Sequence, residues 1–383
     1  NFKKENGGTP DLLGKTELTS PYFFVPPSGD TASRPESCAA GTLRFNTDIG
    51  SLEVYRGDTI GWESIQRRES EYLGGGTGSN TGTGTRGFIM GGQGSPDTTR
   101  EEIEIITIST LGDTQDFGDL TQGSQAAFSG LGSRTNAFYA GGSQIPAGLN
   151  VIQKITVSST GNAVDYGDIT AGVRASGAGL SNQIRAILAG GNLGSPATNV
   201  IEYFSMIQSG NSVDFGDLSA AQEGLSGSIN SSTRGLIHGV GSYGGNGIEF
   251  ITMSSTGNST DFGDMIQGVG GAAGGCNSTR GVIGGGLAPS PVSHTNIIQF
   301  VTIATLGNSQ DFGDLTAIRS GLGAMSSPTR TVFAGGSIFP AHVNTMDKIE
   351  ILTTGNAVDF GDITGDSGEV FNTNTTSNGH GGL

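Results

Sequence analysis

The tetrapeptide DFGD at Asp116–Asp119 returns five more times along the chain, once as DYGD. Its copies set Asp116, Phe117 and Asp119 in register with Asp165, Tyr166 and Asp168; Asp214, Phe215 and Asp217; Asp261, Phe262 and Asp264; Asp311, Phe312 and Asp314; and Asp359, Phe360 and Asp362. Successive copies lie 47 to 50 residues apart. A period of that length means a solenoid, a propeller or an array, because one unit cannot bury its apolar face alone. In a protein kinase Asp-Phe-Gly carries a magnesium ligand, but no HRD loop or Gly-rich nucleotide loop accompanies any copy here. EF-hand and RTX calcium spacings are also absent. The repeat therefore predicts a structural corner. The aromatic residue plugs neighbouring units, Gly allows a backbone that other residues avoid, and the Asp side chains bond nearby amides in Asx-type turns.

The rest of the unit keeps the same period. Upstream of each DFGD stands a short apolar segment, usually ending in paired Gly: GFIMGG (87–92), AFYAGG (137–142), AILAGG (186–191), GLIHGV (235–240), GVIGGG (281–286) and TVFAGG (331–336). An uneven loop follows, then a run rich in Ile, Val, Phe and Thr: IEIITI (103–108), IQKITV (152–157), IEYFSM (201–206), IEFITM (248–253), IQFVTI (298–303) and IEILTT (349–354). These runs, bounded by Gly, Asn, Asp and Pro, read as strands. In IEIITI both alternating sets are apolar (Ile103 and Ile105, Ile106 and Ile108), so the sheet is covered on both faces. A Gly/Ser/Ala segment such as AGVRASGAGLS (171–181) closes each unit, and the first unit lacks one. The leftover segment GDSGEVFNTNTT (365–376) fits as that missing strand, pairing beside residues 86–92. The prediction is an all-β chain whose residues 85–377 form a six-bladed β-propeller closed by a C-terminal strand. Residues 378–383 are left as a tail.

An Arg row precedes the Gly-paired segment (Arg86, Arg185, Arg234, Arg280 and Arg330, with Asn136 in the second unit). The second position of the Ile run reads Glu104, Gln153, Glu202, Glu249, Gln299 and Glu350. Either these Arg side chains hold that acid or a DFGD Asp across strands, or they are rim charges of little energetic value.

The order of double Gly, aliphatic run and aromatic corner resembles the kelch repeat. The likeness extends to architecture alone, because the kelch Tyr and Trp pair is mostly absent and the sole Trp, Trp62, lies outside the repeats. It implies no kelch partner.

Residues 1–72 differ in character. Pro26, Pro27 and SGDTASRPES (28–37) read as part of an extended arm, residues 1–39. Residues 40–72 hold three short strand candidates, TLRFN, SLEVYR and GWESI, a meander too small to stand alone. GGGTGSNTGTG (74–84), within a connector at 73–84, reads equally as a flexible tether or as an ordered surface loop. The run from Gly41, Thr42, Leu43, Arg44, Phe45, Asn46, Thr47 and Asp48 through Trp62 is similar to a module of tailed-phage virion proteins, cyanophages included. Glycine-rich repeats ending in DFGDLT also look like those of marine phage structural proteins. The resemblance implies a virion surface protein of tail-fibre or receptor-binding type, docked through Phe45, Val54, Tyr55 and Trp62. Implied partners are other virion proteins, a second copy of the chain, or a host surface glycan or protein. A capsid decoration or head fibre remains open, as does a secreted lectin-like or glycosidase propeller.

Composition narrows the chemistry. The formal charge of −16, with only five Lys, opposes binding to a phosphate backbone. No apolar run reaches the ~18 residues of a membrane span. Cys38 and Cys276 lie far apart, without metal spacing, and read as free thiols. The chain begins at Asn, as expected of a processed, trimmed or partial product. No nucleophile elbow or zinc motif is present, and the one compact acid set outside the repeat register, Asp97, Glu101 and Glu102, reads as solvated loop charges, so no enzyme, cofactor or metal is expected. The uneven loops differ most between units, either through drift or because recognition sits there. Asp97, Glu101, Tyr243, His294, Phe339 and His342 are their candidate recognition residues.

Overall fold

The computed structural model describes residues 26–35, 38–48, 51–59, 61–65, 85–94, 98–144, 147–192, 196–241, 244–289, 291–338, 341–365 and 368–383. The chain divides into two compact units, Asn1–Arg68 and Glu69–Leu383. Every regular element among the described residues is a β-strand, so no helix there is long and apolar enough to cross a membrane. Residues 73–84, the predicted connector, lie outside the described residues.

In the first unit Leu43–Asn46, Ser51–Tyr55 and Trp62–Ile65 form an antiparallel meander. Ser28–Gly29, from the Pro-containing arm, adds a parallel fourth strand beside Phe45 and Asn46.

The second unit is a series of antiparallel sheets in register with the repeat. The third sheet is representative: Ala178–Ser181, Arg185–Ala189, Thr198–Ser205 and Val213–Gln222, in that order. The fourth, fifth and sixth sheets repeat this order. In the second sheet the first position makes only a bridge, Gly132 to Ala137. In the first sheet that position is filled by Asn374–Ser377, which pairs with Arg86–Met90. The leftover C-terminal segment thus sits beside the first strand of the repeat region.

Apolar residues on both strand faces follow from the packing. Each cluster of buried side chains belongs to two consecutive sheets. Phe88 and Ile103 pack with Tyr139 and Ile155, and Phe138 and Ile152 with Leu188 and Phe204. The last cluster joins Ile89 and Ile106 of the first sheet to Val332 and Met346 of the sixth.

The DFGD strands explain their own repetition. The aromatic side chain is buried, 2% exposed at Phe117 and 7% at Tyr166. Its carbonyl accepts a hydrogen bond from a Gly N–H of the following unit. The donors are Gly161, Gly210, Gly257, Gly307 and Gly355 to Phe117, Tyr166, Phe215, Phe262 and Phe312, and Gly112 of the first unit to Phe360 of the sixth, at 2.7–3.0 Å. The next residue is the Gly of DFGD. A Cβ there would lie 2.3–2.6 Å from the backbone of that same neighbouring Gly. Close approach therefore excludes any side chain.

The Asp side chains do not make the expected Asx-type turns. They accept no hydrogen bond from the described residues, and the first Asp of each copy is exposed. Instead the backbone N–H of the second Asp donates to an Asn Oδ1 of the next unit: Asn162, Asn211, Asn258, Asn308 and Asn356, with Asp113 taking that role for Asp362, all at 3.0–3.1 Å. The neighbouring chain already satisfies the amide, which leaves the carboxylates to water.

Removing residues 368–383 would strip Arg86–Met90 of the partner strand Asn374–Ser377 and bare an edge strand. The melting temperature of the truncated protein should fall by at least ~10 °C. Unchanged melting in calorimetry would refute that structural role for the C-terminal segment.

Candidate functional site

Three features of the second unit carry polar chemistry. The first is a set of buried ion pairs. Arg319 meets Asp347 at 2.9 Å, both fully buried. Arg174 meets Glu202 at 2.5 Å, each side chain 3% exposed. Arg100 contacts Glu104 at 3.2 Å and also bonds Glu102. These arginines are not the row singled out in the sequence. That row stands at strand ends, where the guanidinium reaches a backbone carbonyl at the end of the Ile run of the next sheet. Arg86 bonds Val157 O, Arg185 Met253 O, Arg234 Ile303 O and Arg280 Ile351 O, at 2.6–3.3 Å. Arg185, Arg234 and Arg280 also lie 4.4–4.6 Å over Tyr203, Phe250 and Phe300, a favourable cation–π distance.

The sixth copy needs a register correction. Asp347 pairs with Asp359 just as Glu104 pairs with Asp116, so the Ile run of that copy starts three residues earlier than IEILTT suggests. Glu350 lies outside the acid row and makes a half-exposed pair with Arg330 at 2.8 Å. Gln153 and Gln299, at the same position as these acids, bond backbone groups instead, and Glu249 bonds the hydroxyls of Ser219 and Ser259.

The second feature is a cavity of about 190 Å³ where the first strands of the sheets meet. Its walls come from all six repeats, with Ser129, Ser176, Leu225, Ala272, Leu322 and Phe371 among them. A second cavity, of about 330 Å³, adjoins it through Ala126, Ser176 and Asn372.

The third feature is the C-terminal tail, whose His380, Gly381 and Gly382 are buried. His380 Nε2 stands 3.0 Å from Gly132 O and 3.2 Å from Ser181 Oγ, and Gly381 N–H donates to Cys276 O at 3.2 Å. Burial lowers the His380 pKa to about 4, opposed by its bond to Gly132 O. Burial likewise pushes the Cys276 thiol up to about 11, which makes it a poor nucleophile. Both cysteines are free.

The residues expected to dock the first unit do not share a surface. Alternation along its strands separates Leu43, Phe45, Leu52 and Val54 on one face from Arg44, Asn46, Glu53 and Tyr55 on the other. The polar face is the covered one: Glu53 is 0% and Arg44 5% exposed, whereas Phe45 is 36% and Leu43 40% exposed. The arm explains the inversion. Arg34 pairs with Glu53, Arg44 Nη2 donates to Asp30 O at 2.8 Å, and Asn46 bonds Thr31 Oγ1 at 3.1 Å. Trp62 Nε1 donates to Pro35 O at 3.0 Å, and the Trp62 ring lies 5.3 Å from that of Tyr55. Trp62 and Tyr55 thus belong to the arm side, and Phe45 and Val54 to the open side.

Of the candidate loop residues, Asp97, Tyr243 and Phe339 lie outside the described residues. Glu101 is exposed, His294 pairs with Leu287 in a short hairpin, and His342 lies 5.3 Å from Phe371. Among the described residues no group of three or more His, Cys, Asp or Glu could hold a metal. Gln93, Gln125, Asn192 and Asn372 around the second cavity were not singled out by the sequence. Their one sequence signal is variation at positions that the repeat places in register. Compared with known protein families and with curated proteins, the chain matches none.

Two outcomes follow from the buried groups. Arg319→Ala or Asp347→Ala should each cost about 3–5 kcal/mol in denaturant unfolding, because the surviving charge stays buried, whereas the Arg319→Met, Asp347→Leu double variant should recover much of that. A double variant no more stable than either single one would contradict this account.

His380 is neutral when folded, with its pKa below the unfolded value. Its contribution is therefore complete above about pH 6.5 and is lost as pH falls towards about 4, on the order of 3 kcal/mol in all. His380→Gln should flatten stability between about pH 7 and about pH 4.5 relative to wild type. Parallel curves for the two proteins would exclude that role.

Proposed function

We propose that the chain is a non-enzymatic structural protein on the surface of a tailed-phage virion, with its first unit docked on the particle and its second unit displayed. In this reading the second unit is a closed six-bladed β-propeller. Support for closure comes from the bond of Gly112 to Phe360, from the core cluster shared by the first and sixth sheets, and from the strand that Asn374–Ser377 adds to the first sheet. Support for docking comes from the likeness of Gly41–Asp48 through Trp62 to phage virion modules, and from the open apolar face of that same segment.

One observation carries the assignment of roles. The first unit covers its polar face and leaves Leu43 and Phe45 exposed, whereas a monomer buries apolar area in preference to polar groups. A virion protein would supply the missing cover. Tail-fibre display with host recognition and capsid decoration use this arrangement alike, and the location on the particle separates them.

Particles lacking the protein should be decorated by the full-length chain. Phe45→Asp should abolish decoration, because it places a charge in an apolar contact, while leaving the main melting transition of the chain within about 2 °C. Immunogold labelling of the particles reads both the attachment and its position. Full decoration by Phe45→Asp would reject this face as the dock, and failure of the unaltered chain to bind any particle would reject the virion reading.

A further inference from the structure

The walls of the two adjoining cavities break the repeat in a directed way. Where the first strand of each sheet begins, the backbone is left-handed in all six copies: Ala126 (φ +55°), Ser176 (+56°), Gly224 (+67°), Gly271 (+61°), Gly321 (+64°) and Asn372 (+51°). Backbone bonds link these positions. Ser176 N–H donates to Ala126 O, Ala126 to Asn372 O, Asn372 to Gly321 O and Gly321 to Gly271 O, at 2.7–2.9 Å. Three copies meet this conformation with Gly, which adopts it freely. The other three carry side chains there, with the strain that left-handed geometry imposes on L-residues. Glycine would serve the fold equally well at those three positions. Strain kept where the fold does not need it points to function.

Those three copies are neighbours, belonging to the first, second and third sheets, and their residues line both cavities. Gln93, Gln125, Ser143 and Asn192 gather on the same side. In the fifth and sixth repeats, the position held by Gln93, Ser143 and Asn192 carries Leu287 and Ser337. Amides therefore concentrate on one side of the cavity mouth.

Their chemistry defines the ligand. Among the described residues no charged side chain lines either cavity, although the chain carries a net charge of −16. An anion would find no cation there, and a cation no carboxylate. Amides and hydroxyls offer donors and acceptors together, the pattern that matches sugar hydroxyls. The Oε1 of Gln125 is buried without a hydrogen-bond partner among the described residues, a group that a ligand hydroxyl would satisfy. Phe371 adds a half-buried aromatic ring to the wall of the first cavity. The second cavity, at about 330 Å³, is within the range of small-molecule sites, roughly 300–1,000 Å³.

We propose that this mouth binds a neutral saccharide, with Gln125 and Asn192 as its polar contacts, Ser176 and Asn372 bordering it, and Phe371 offering an apolar ring face. The site deepens the host-recognition reading and rests on it for biological meaning, but binding by the purified chain is independent of attachment to a particle.

The test uses the full-length protein and ligand-observed NMR with glucose, galactose, mannose, N-acetylglucosamine and their disaccharides, against N-acetylneuraminic acid and glucuronic acid. At least one neutral sugar should bind with a Kd on the order of 1 mM or tighter, and the acidic sugars at least about tenfold more weakly. Gln125→Ala and Asn192→Ala should each weaken binding by at least about tenfold without lowering the melting temperature, since the groups removed are ligand contacts rather than core. Ser176→Gly and Asn372→Gly should leave melting unchanged or raised while weakening binding, a combination that a purely structural role would not produce. Absence of binding by every neutral sugar, equal binding of the acidic ones, or unchanged affinity in all four variants would overturn the proposal. Loss of sugar binding in a variant that still decorates particles separates this site from the virion reading.

Discussion

The close approach of one sheet's DFGD backbone to the Gly turn of the next governs the second unit. The hydrogen bond from Gly161 to Phe117 O, and its five counterparts, forms at a distance that a Cβ on the Gly of DFGD would prevent. Around each contact the aromatic side chain enters a core shared by two sheets, and an Asn, or Asp113 for the sixth copy, caps the following amide. Backbone, apolar and polar terms thus coincide in four residues. A net hydrogen bond contributes only about 1 kcal/mol, so the geometry matters more than any single bond. It sets the spacing at which all other inter-sheet contacts are made.

That constraint explains what could be read from the chain. Residues locked to the period are those that meet a neighbouring sheet, and repetition exposed them: DFGD, the paired Gly and the two-sided Ile runs. The register failed in the sixth copy because Ile349–Glu350 imitates the Ile-Glu start of the other runs, while the true counterpart, Asp347, follows Met346. The arginine pairing held only at Arg330 and Glu350, because two sets of Arg recur near the repeat and sequence spacing does not say which of them points inward. Arg319 and Arg174 emerge from the Gly/Ser/Ala segments, and Arg319 is fully buried.

The first unit shows a different limit. Alternation in LRFN and SLEVY separates two faces but does not say which one is covered. Phe45, Val54, Tyr55 and Trp62 were expected on one docking surface, whereas Tyr55 and Trp62 lie on the arm side with Arg44, Asn46 and Glu53. Burying such groups is costly unless each is paired, and the arm supplies the pairing through Arg34, Thr31 and the Asp30 carbonyl. The cavity mouth was illegible for the opposite reason. Its small polar residues follow no period and resemble ordinary loop composition, and only their meeting in space gives them a common chemistry.

The pairing of Asn374–Ser377 with Arg86–Met90 also bears on the order in which the second unit can be built. The first sheet takes strands from both extremes of the repeat region, so during synthesis it stays incomplete until the final repeat has left the ribosome. Sheets two to six draw on contiguous sequence and can pair as they emerge, while Arg86–Met90 waits with an open edge. A long loop must then be closed at a stroke, a contact of high sequence separation that slows folding. The ends of the repeat region act as a latch, fastened last and only after translation has passed both of its halves.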